Sequence, residues 1–92
     1  MAISDDTLTF LEQLSDAAAP APWVAMIEGR DHLAGDNFIL TGTDSARGPD
    51  IYVNEDSRPA VAAYPDLIAA ARTYLPLLIQ EVRVLRSTET DH

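Results

Sequence analysis

The chain has neither cysteine nor lysine among its 92 residues. The absence of cysteine excludes disulfide bonds, thiolate metal sites and catalysis by a thiol. The absence of lysine means that its six basic residues are all arginine. A domain of this length buries only roughly 60–65 % of its unfolded surface, and with no covalent staple a second copy of the chain is one usual way to bury more.

Long apolar runs and a secretory signal are also missing. The N-terminus has no basic segment followed by an apolar one, and no apolar run approaches the ~20 residues that span a bilayer. The sequence therefore predicts a cytoplasmic protein that does not enter a membrane. We expect one small domain over residues 1–92, frayed at residues 1–3 and 87–92.

Positive charge is scarce and unevenly placed. Residues 1–66 contain twelve acidic residues and three arginines, a net charge of −9, whereas residues 67–92 contain three of each and are neutral. The negative electrostatic field of residues 1–66 repels phosphate backbones, so the sequence argues against direct nucleic-acid binding. Two interpretations of the acidity remain: it keeps a small apolar protein soluble, or it matches a basic partner.

Residues that could carry out catalysis are few. The two histidines are His32 and the terminal His92, which leaves His32 as the only plausible general base. No Gly-x-Ser-x-Gly elbow or phosphate-binding loop is present, and the carboxylates Asp31 and Asp36 near His32 match no metal-binding spacing. The sequence therefore predicts a protein that is not an enzyme and that binds no metal or cofactor.

The first part of the chain predicts a helix followed by three strands. Ser4 is a suitable N-cap, and Pro20 and Pro22 cannot continue a helix, which predicts a helix from about Asp5 to Ala17. Strands are expected at residues 23–28, 37–41 and 51–53, and residues 54–59 are expected to form a charged loop. No helix separates these strands, which is typical of an antiparallel meander.

A long helix is predicted from about Pro65, with a second proline inside it. Pro76 removes the hydrogen bond to the Arg72 carbonyl and crowds that turn. Either a single helix is kinked near Arg72, or Thr73 caps a second helix that contains Pro76 in its first turn. The apolar pattern continues across the proline, which favours a kink or a near-coaxial break.

That pattern is the strongest signal in the chain. Apolar residues recur at spacings of four, four, three, four and three, at Leu67, Ala71, Leu75, Leu78, Val82 and Leu85. We call this set the apolar stripe. A stripe of this kind is explained by a helix that packs on its own sheet. Further apolar residues lie off the stripe, so the helix is also expected to bury a second side against another chain.

The C-terminal segment resembles known sequences. The resemblance is carried by Ala21-Pro22-Trp23 and by the frame Ile68-Ala69-x-Ala71-Arg72, Pro76, Leu78, Glu81-Val82 and Leu85-Arg86. It is similar to short uncharacterised proteins of actinobacteria and their phages, and distantly similar to the Ead-like phage proteins. Tyr74 stands where those proteins typically carry Asp. The resemblance implies a bacterial or phage origin and assigns no activity, cofactor or site residue.

Together these observations predict an α+β domain with an N-terminal helix, a three-stranded antiparallel meander and a long Pro-kinked C-terminal amphipathic helix. The predicted function is that of a non-enzymatic accessory or regulatory interaction module, a homodimer formed through the C-terminal helix. The candidate contact residues are Ile68, Leu75, Leu77, Ile79, Val82, Val84 and Leu85. The alternative is an acidic inhibitor or immunity-type protein that masks a basic nuclease or DNA-binding partner.

Overall fold

The computed structural model describes residues 3–56 and 58–90 of the chain. Its architecture is α+β, as predicted, with an N-terminal helix, antiparallel strands and a long C-terminal helix. In chain order the elements are α1 (Asp5–Ala17), β1 (Trp23–Met26), β2 (Phe38–Thr43), β3 (Ala46–Arg47), β4 (Ile51–Tyr52), β5 (Asn54–Glu55), β6 (Arg58–Pro59) and α2 (Ala63–Thr90).

Helix α1 has the bounds that its end signals predict. The Ser4 hydroxyl accepts a hydrogen bond from the Thr7 amide at 3.1 Å, which satisfies one of the free amides of the first turn. Two aspartates in that turn add favourable charge at the positive end of the helix dipole. The helix ends at Ala17, before the Ala-Pro segment that leads into the sheet.

Strand β2 lies at the centre of the sheet. One of its edges pairs with β1, and the other pairs with β3 beside Gly42 and with β4 beside Phe38, all antiparallel. The predicted meander is therefore confirmed through β1, β2 and β4, and β3 is an additional short strand that the sequence does not predict. Gly42 has φ +80°, and a Cβ there would collide with the Ala46 carbonyl, so the β2–β3 turn requires glycine.

The described residues of the segment 54–59 are not simply a loop, as was predicted. They form strands β5 and β6, with Asn54 opposite Pro59 and Glu55 opposite Arg58. The Ala60 amide then donates to the Val53 carbonyl at 3.0 Å. This hairpin carries the chain from the sheet to the start of α2.

The two faces of the sheet differ in burial. Side chains alternate between faces along each strand, so Ile39 and Thr41 share one face with the buried Asn37. Ile39 and Thr41 are fully buried, and we call this the inner face. The Asn37 side-chain amide donates to the Ala60 carbonyl at 2.6 Å and closes that side of the core.

Helix α2 is continuous from Ala63 to Thr90, with Pro76 inside it. The alternative of two separate helices is therefore wrong. Residues 87–90 belong to the last turn of this helix, and the fraying of the tail stays a prediction. Residues 91 and 92 lie outside the described residues, as do residues 1 and 2.

Side-chain hydrogen bonds attach the first half of α2 to the rest of the chain. The Thr73 hydroxyl accepts a hydrogen bond from the Trp23 amide at 3.0 Å and donates to the Trp23 carbonyl at 3.2 Å. The Arg72 guanidinium donates to the Ala19 carbonyl at 3.1 Å, and the Trp23 indole donates to the same carbonyl at 3.0 Å. Thus α2 runs along β1 and holds the connection between α1 and the sheet.

The second half of α2 packs against α1, which runs in the opposite direction. Arg83 donates to Glu12 at 2.5 Å and to Thr9 at 3.1 Å, and Arg86 donates to Asp5 at 2.7 Å. Between the helices, Leu8 is buried, and on α2 Ile79 is only 2 % exposed. The sheet therefore packs against the first half of α2, and α1 packs against the second half.

This arrangement gives an elongated molecule with a large surface. Its dimensions are 55 × 33 × 21 Å and its radius of gyration is 16.2 Å, against about 12 Å for a compact chain of this length. Its accessible surface is 6475 Å², whereas a compact monomer of 10.0 kDa exposes about 5,200 Å². The chain on its own leaves about 1,200 Å² more surface exposed than a compact protein of its mass.

We expect Ile79→Ala to lower the free energy of unfolding by about 2–5 kcal/mol, because it empties space between α1 and α2. Leu33→Ala, at a side chain that is 87 % exposed in the β1–β2 loop, should change it by less than about 0.5 kcal/mol. Urea unfolding followed by circular dichroism measures both values. Equal effects of the two substitutions would contradict this description of the core.

Candidate interaction surface

The apolar stripe of α2 faces away from the core. Leu67, Leu78 and Leu85 are 68 %, 61 % and 57 % exposed, Ala71 is exposed as well, and Leu75 and Val82 are half-buried. The buried residues of α2 all lie off the stripe: Pro65, Ala69 and Ile79. The interpretation of the stripe as the side that packs on the chain's own sheet is therefore wrong. The helix packs inward through another side.

With Ile68 included, the outward residues follow a heptad pattern. Ile68, Leu75 and Val82 are seven residues apart, and so are Ala71, Leu78 and Leu85. The two sets alternate at intervals of three and four, an average of about 3.5 residues, which is the spacing of the contact line between two paired helices. The unoccupied side of α2 thus has the pattern of a helix–helix interface along about five turns.

The predicted contact residues fall into three groups. Ile68, Leu75, Val82 and Leu85 belong to the heptad line. Leu77 and Val84 are exposed, but each precedes a stripe residue by one position and so lies about 100° around the helix from it. Ile79 is buried against the chain's own core and is not available to a partner. Its inclusion among the contact residues is therefore wrong.

Helix α1 adds to the same surface, which the sequence does not predict. Of the three leucines at helical spacing in α1, Leu8 is buried, Leu11 is half-buried and Leu14 is exposed. The ion pairs of Arg83 and Arg86 lie along one side of the α1–α2 contact. Helical rotation of about 100° per residue places Leu14 on the opposite side, together with the stripe.

The arginines of α2 are engaged within the chain. Arg83 and Arg86 pair with Glu12 and Asp5, and the hydrogen bond from Arg83 to Glu12 raises the pKa of Arg83 above its ordinary value. Arg72 donates to the Ala19 carbonyl. Between Leu67 and Thr88 the only acidic residue is Glu81. The stripe is consequently apolar and free of the strong negative charge of residues 1–66.

A second charged contact fixes the start of α2. Arg30, in the β1–β2 loop, donates two hydrogen bonds to the Asp66 carboxylate at 2.9 and 3.0 Å and one to Asp31 at 3.0 Å. The hydrogen bond from Arg30 lowers the pKa of Asp66. The pKa of Asp31 is lowered first by the Ile27 amide and then by Arg30. Such a two-pronged pair orients the loop against the helix.

An open groove of about 380 Å³ lies beside this contact, between β1 and α2. Its lining includes Trp23, Ala25, Arg30, Asp66 and Thr73. Arg30 and Asp66 neutralise each other, and the Thr73 hydroxyl is bound to Trp23. The ion pair and the Thr73 hydroxyl in this groove are therefore engaged within the chain, and the exposed Tyr74 also lines the groove.

His32, the only general base that the sequence offers, is held by its surroundings. Its Nδ1 accepts a hydrogen bond from the Ala34 amide at 2.9 Å, and its Nε2 lies 3.2 Å from the Met26 carbonyl. Its ring packs on Phe38 with the ring centres 5.0 Å apart. Both nitrogens are thus occupied, and the side chain orders the β1–β2 loop.

Two other kinds of site are absent from the part of the chain that the structure describes. No group of three or more histidine, cysteine or acidic side chains there could hold a metal ion. No helix within residues 3–56 and 58–90 is long and apolar enough to cross a membrane.

Comparison of the chain with protein-family models, curated proteins and solved structures finds no match. The resemblance to short actinobacterial and phage proteins stays a prediction from the sequence.

We expect Asp66→Asn to lower the melting temperature at neutral pH, because it removes the charge that Arg30 pairs with. A carboxylate whose pKa is lowered on folding stabilises the protein above its ordinary pKa of 3.8 and loses this effect as the pH falls through the lowered value. The difference in melting temperature between wild type and variant should therefore disappear in acid. Thermal unfolding from pH 7 to pH 2 tests this.

The matched control is Asp44→Asn, because Asp44 is an exposed carboxylate with no ion pair among the described residues. We expect this substitution to change the melting temperature little at either end of the pH range. If the melting temperatures of Asp66→Asn and wild type differ as much below pH 3 as at neutral pH, the ion pair with Arg30 does not stabilise the fold.

Proposed function

We propose that this protein is a non-enzymatic interaction module that self-associates through helix α2, and that its role is accessory or regulatory. The observation that carries the proposal is that the apolar stripe faces solvent and not the core of its own chain. Three leucines of one helix face are more than half exposed along the length of the molecule. Contiguous exposed apolar surface of this kind is typical of protein–protein interfaces.

The amount of exposed surface supports the same proposal. The excess over a compact monomer is about 1,200 Å². A stable protein–protein interface of ordinary size buries about 800 Å² on each partner, and interfaces of obligate dimers bury more. One interface along α2 would therefore bring the surface of each chain back to the range of compact proteins.

Charge indicates which partner fits this surface. Residues 67–92 have three acidic residues and three arginines, so this segment adds no net charge to a contact between two copies of α2. Heptad spacing also lets the same line of side chains interlock with its own copy. A second copy of the chain therefore suits the stripe better than a strongly charged partner, and Leu14 of α1 extends the contact.

The test is a charge placed in the middle of the stripe. Leu78→Glu should raise the dissociation constant of the dimer roughly a hundredfold, about 3 kcal/mol, because the carboxylate would be buried without a partner. The fold should persist, since Leu78 is mainly exposed within one chain. Sedimentation equilibrium measures the dissociation constant, and circular dichroism confirms the fold.

Leu33→Glu is the control for this experiment. It introduces the same charge at the most exposed leucine of the chain, in the β1–β2 loop and away from α2. We expect the dimer of this variant to be as stable as that of the wild type. Dimers of equal stability in Leu78→Glu and wild type would exclude the stripe as the interface.

A further inference from the structure

Two polar side chains lie on the outward side of α2, one before Leu78 and one after it. Tyr74 precedes Leu78 by four residues and Glu81 follows it by three, so both are its neighbours on the helix surface. Tyr74 is 58 % exposed, and Glu81 is exposed as well. A rotation of about 100° per residue places the two within about 20° of each other around the helix axis. They therefore lie on the same flank of the apolar stripe.

Neither polar group is satisfied within one chain. In the part of the chain that the structure describes, the Tyr74 hydroxyl and the Glu81 carboxylate have no hydrogen-bonding or ion-pair partner. They are separated by about 10 Å along the helix axis, which is too far for a direct hydrogen bond between them. A phenol donates a hydrogen bond and a carboxylate accepts one, so the two groups are complementary. A second copy of the chain is able to bring them together.

The direction in which two copies of α2 run decides whether these groups meet. In an antiparallel pair whose two-fold axis passes beside Leu78, residues at equal distances before and after that point face each other. Tyr74 is then level with the partner's Glu81 on the same flank, and the contact occurs twice because the pair is symmetric. The small Ala71 also lies close to the level of the partner's Leu85, so a small side chain faces a large one.

A parallel pair gives neither of these matches. Each residue is then level with its own copy, so the two Glu81 carboxylates approach and repel each other, and Ala71 meets Ala71. The arginine five residues further along does not offset this repulsion, because Arg86 already donates to Asp5 at 2.7 Å and to the Ile3 carbonyl. Charge and side-chain size both favour the antiparallel pair.

From these features we infer that the second copy runs antiparallel along α2, and that the Tyr74 hydroxyl of each copy donates a hydrogen bond to the partner's Glu81. This inference rests on the proposed self-association and adds its geometry. A polar group within an apolar contact line fixes the register of two helices, which apolar side chains alone leave free to slide. Glu81, the one acidic residue between Leu67 and Thr88, thus selects the orientation of the partner.

Electron paramagnetic resonance between two spin labels measures the direction of the partner. Because the chain has no cysteine, a single introduced cysteine carries one label on each copy. Labels at Thr88→Cys, an exposed position near the end of α2, should be about 30 Å apart in an antiparallel pair and about 10 Å apart in a parallel one. Labels at Gln80→Cys, close to the two-fold axis, should give nearly the same distance in both arrangements and are the control.

Removal of the Glu81 charge tests the hydrogen bond, because the two arrangements predict opposite signs. If Glu81 accepts from the partner's Tyr74, Glu81→Gln should raise the dissociation constant of the dimer about tenfold, and Tyr74→Phe should raise it by a similar factor. If two Glu81 carboxylates repel each other, Glu81→Gln should lower the constant. Asp44→Asn and Tyr52→Phe are the matched controls, at an exposed carboxylate and an exposed tyrosine outside α2, and neither should change it. Sedimentation equilibrium measures these constants.

Different results would overturn this inference and the proposed function. A long distance at Thr88, together with weaker dimers of Glu81→Gln and Tyr74→Phe, supports both. A short distance or a tighter dimer of Glu81→Gln overturns the antiparallel pair and leaves self-association intact. A long distance with unchanged dissociation constants excludes the contact between Tyr74 and Glu81. A mass of one chain for the wild type overturns the inference and the proposed function together.

Discussion

One side of helix α2 holds this molecule together. That side contains the buried residues Ala69 and Ile79. In the described residues α2 contacts both the sheet and α1, whereas α1 and the strands do not contact each other. The hydrogen bonds from Thr73 to both backbone groups of Trp23 tie the helix to the sheet. Because everything else packs on this one side, the rest of the circumference of α2 stays open. The exposed stripe is thus a direct consequence of how the fold is assembled.

The parts of the fold that local chemistry determines could be predicted from the sequence. The bounds of α1 follow from the Ser4 cap and the proline-rich segment after it, and both act over only a few residues. The β1–β2 pairing follows from two apolar segments with turn residues between them. Strands of two residues, such as β5 and β6, contain too few side chains to show any periodicity, so they could not be predicted.

Which side of α2 faces the core could not be predicted either, for a different physical reason. The pattern of large apolar residues identifies the stripe, but small residues at Ala69 and Thr73 allow the closest approach of the helix to β1. Close packing depends on shape as well as on hydrophobicity, and a hydropathy pattern gives small residues little weight. For the same reason the buried Ile79 could not be separated in advance from the exposed Leu78.

The distribution of charge distinguishes the stripe of α2 from the rest of the chain. The stripe contains no charged side chain, and Glu81 is the only acidic residue between Leu67 and Thr88, whereas residues 1–66 have a net charge of −9. The stripe is therefore the part of the surface that suits a second copy of the chain.

The central claim is that a second copy covers the stripe of α2, and the absolute mass in solution tests it most directly. Light scattering on a sizing column should give twice the 10.0 kDa mass of the chain over a hundredfold range of concentration. The mass should be the same at low and high salt, because an apolar contact is not screened. A mass of one chain at every concentration would contradict the account, since the stripe would then remain exposed in the stable protein.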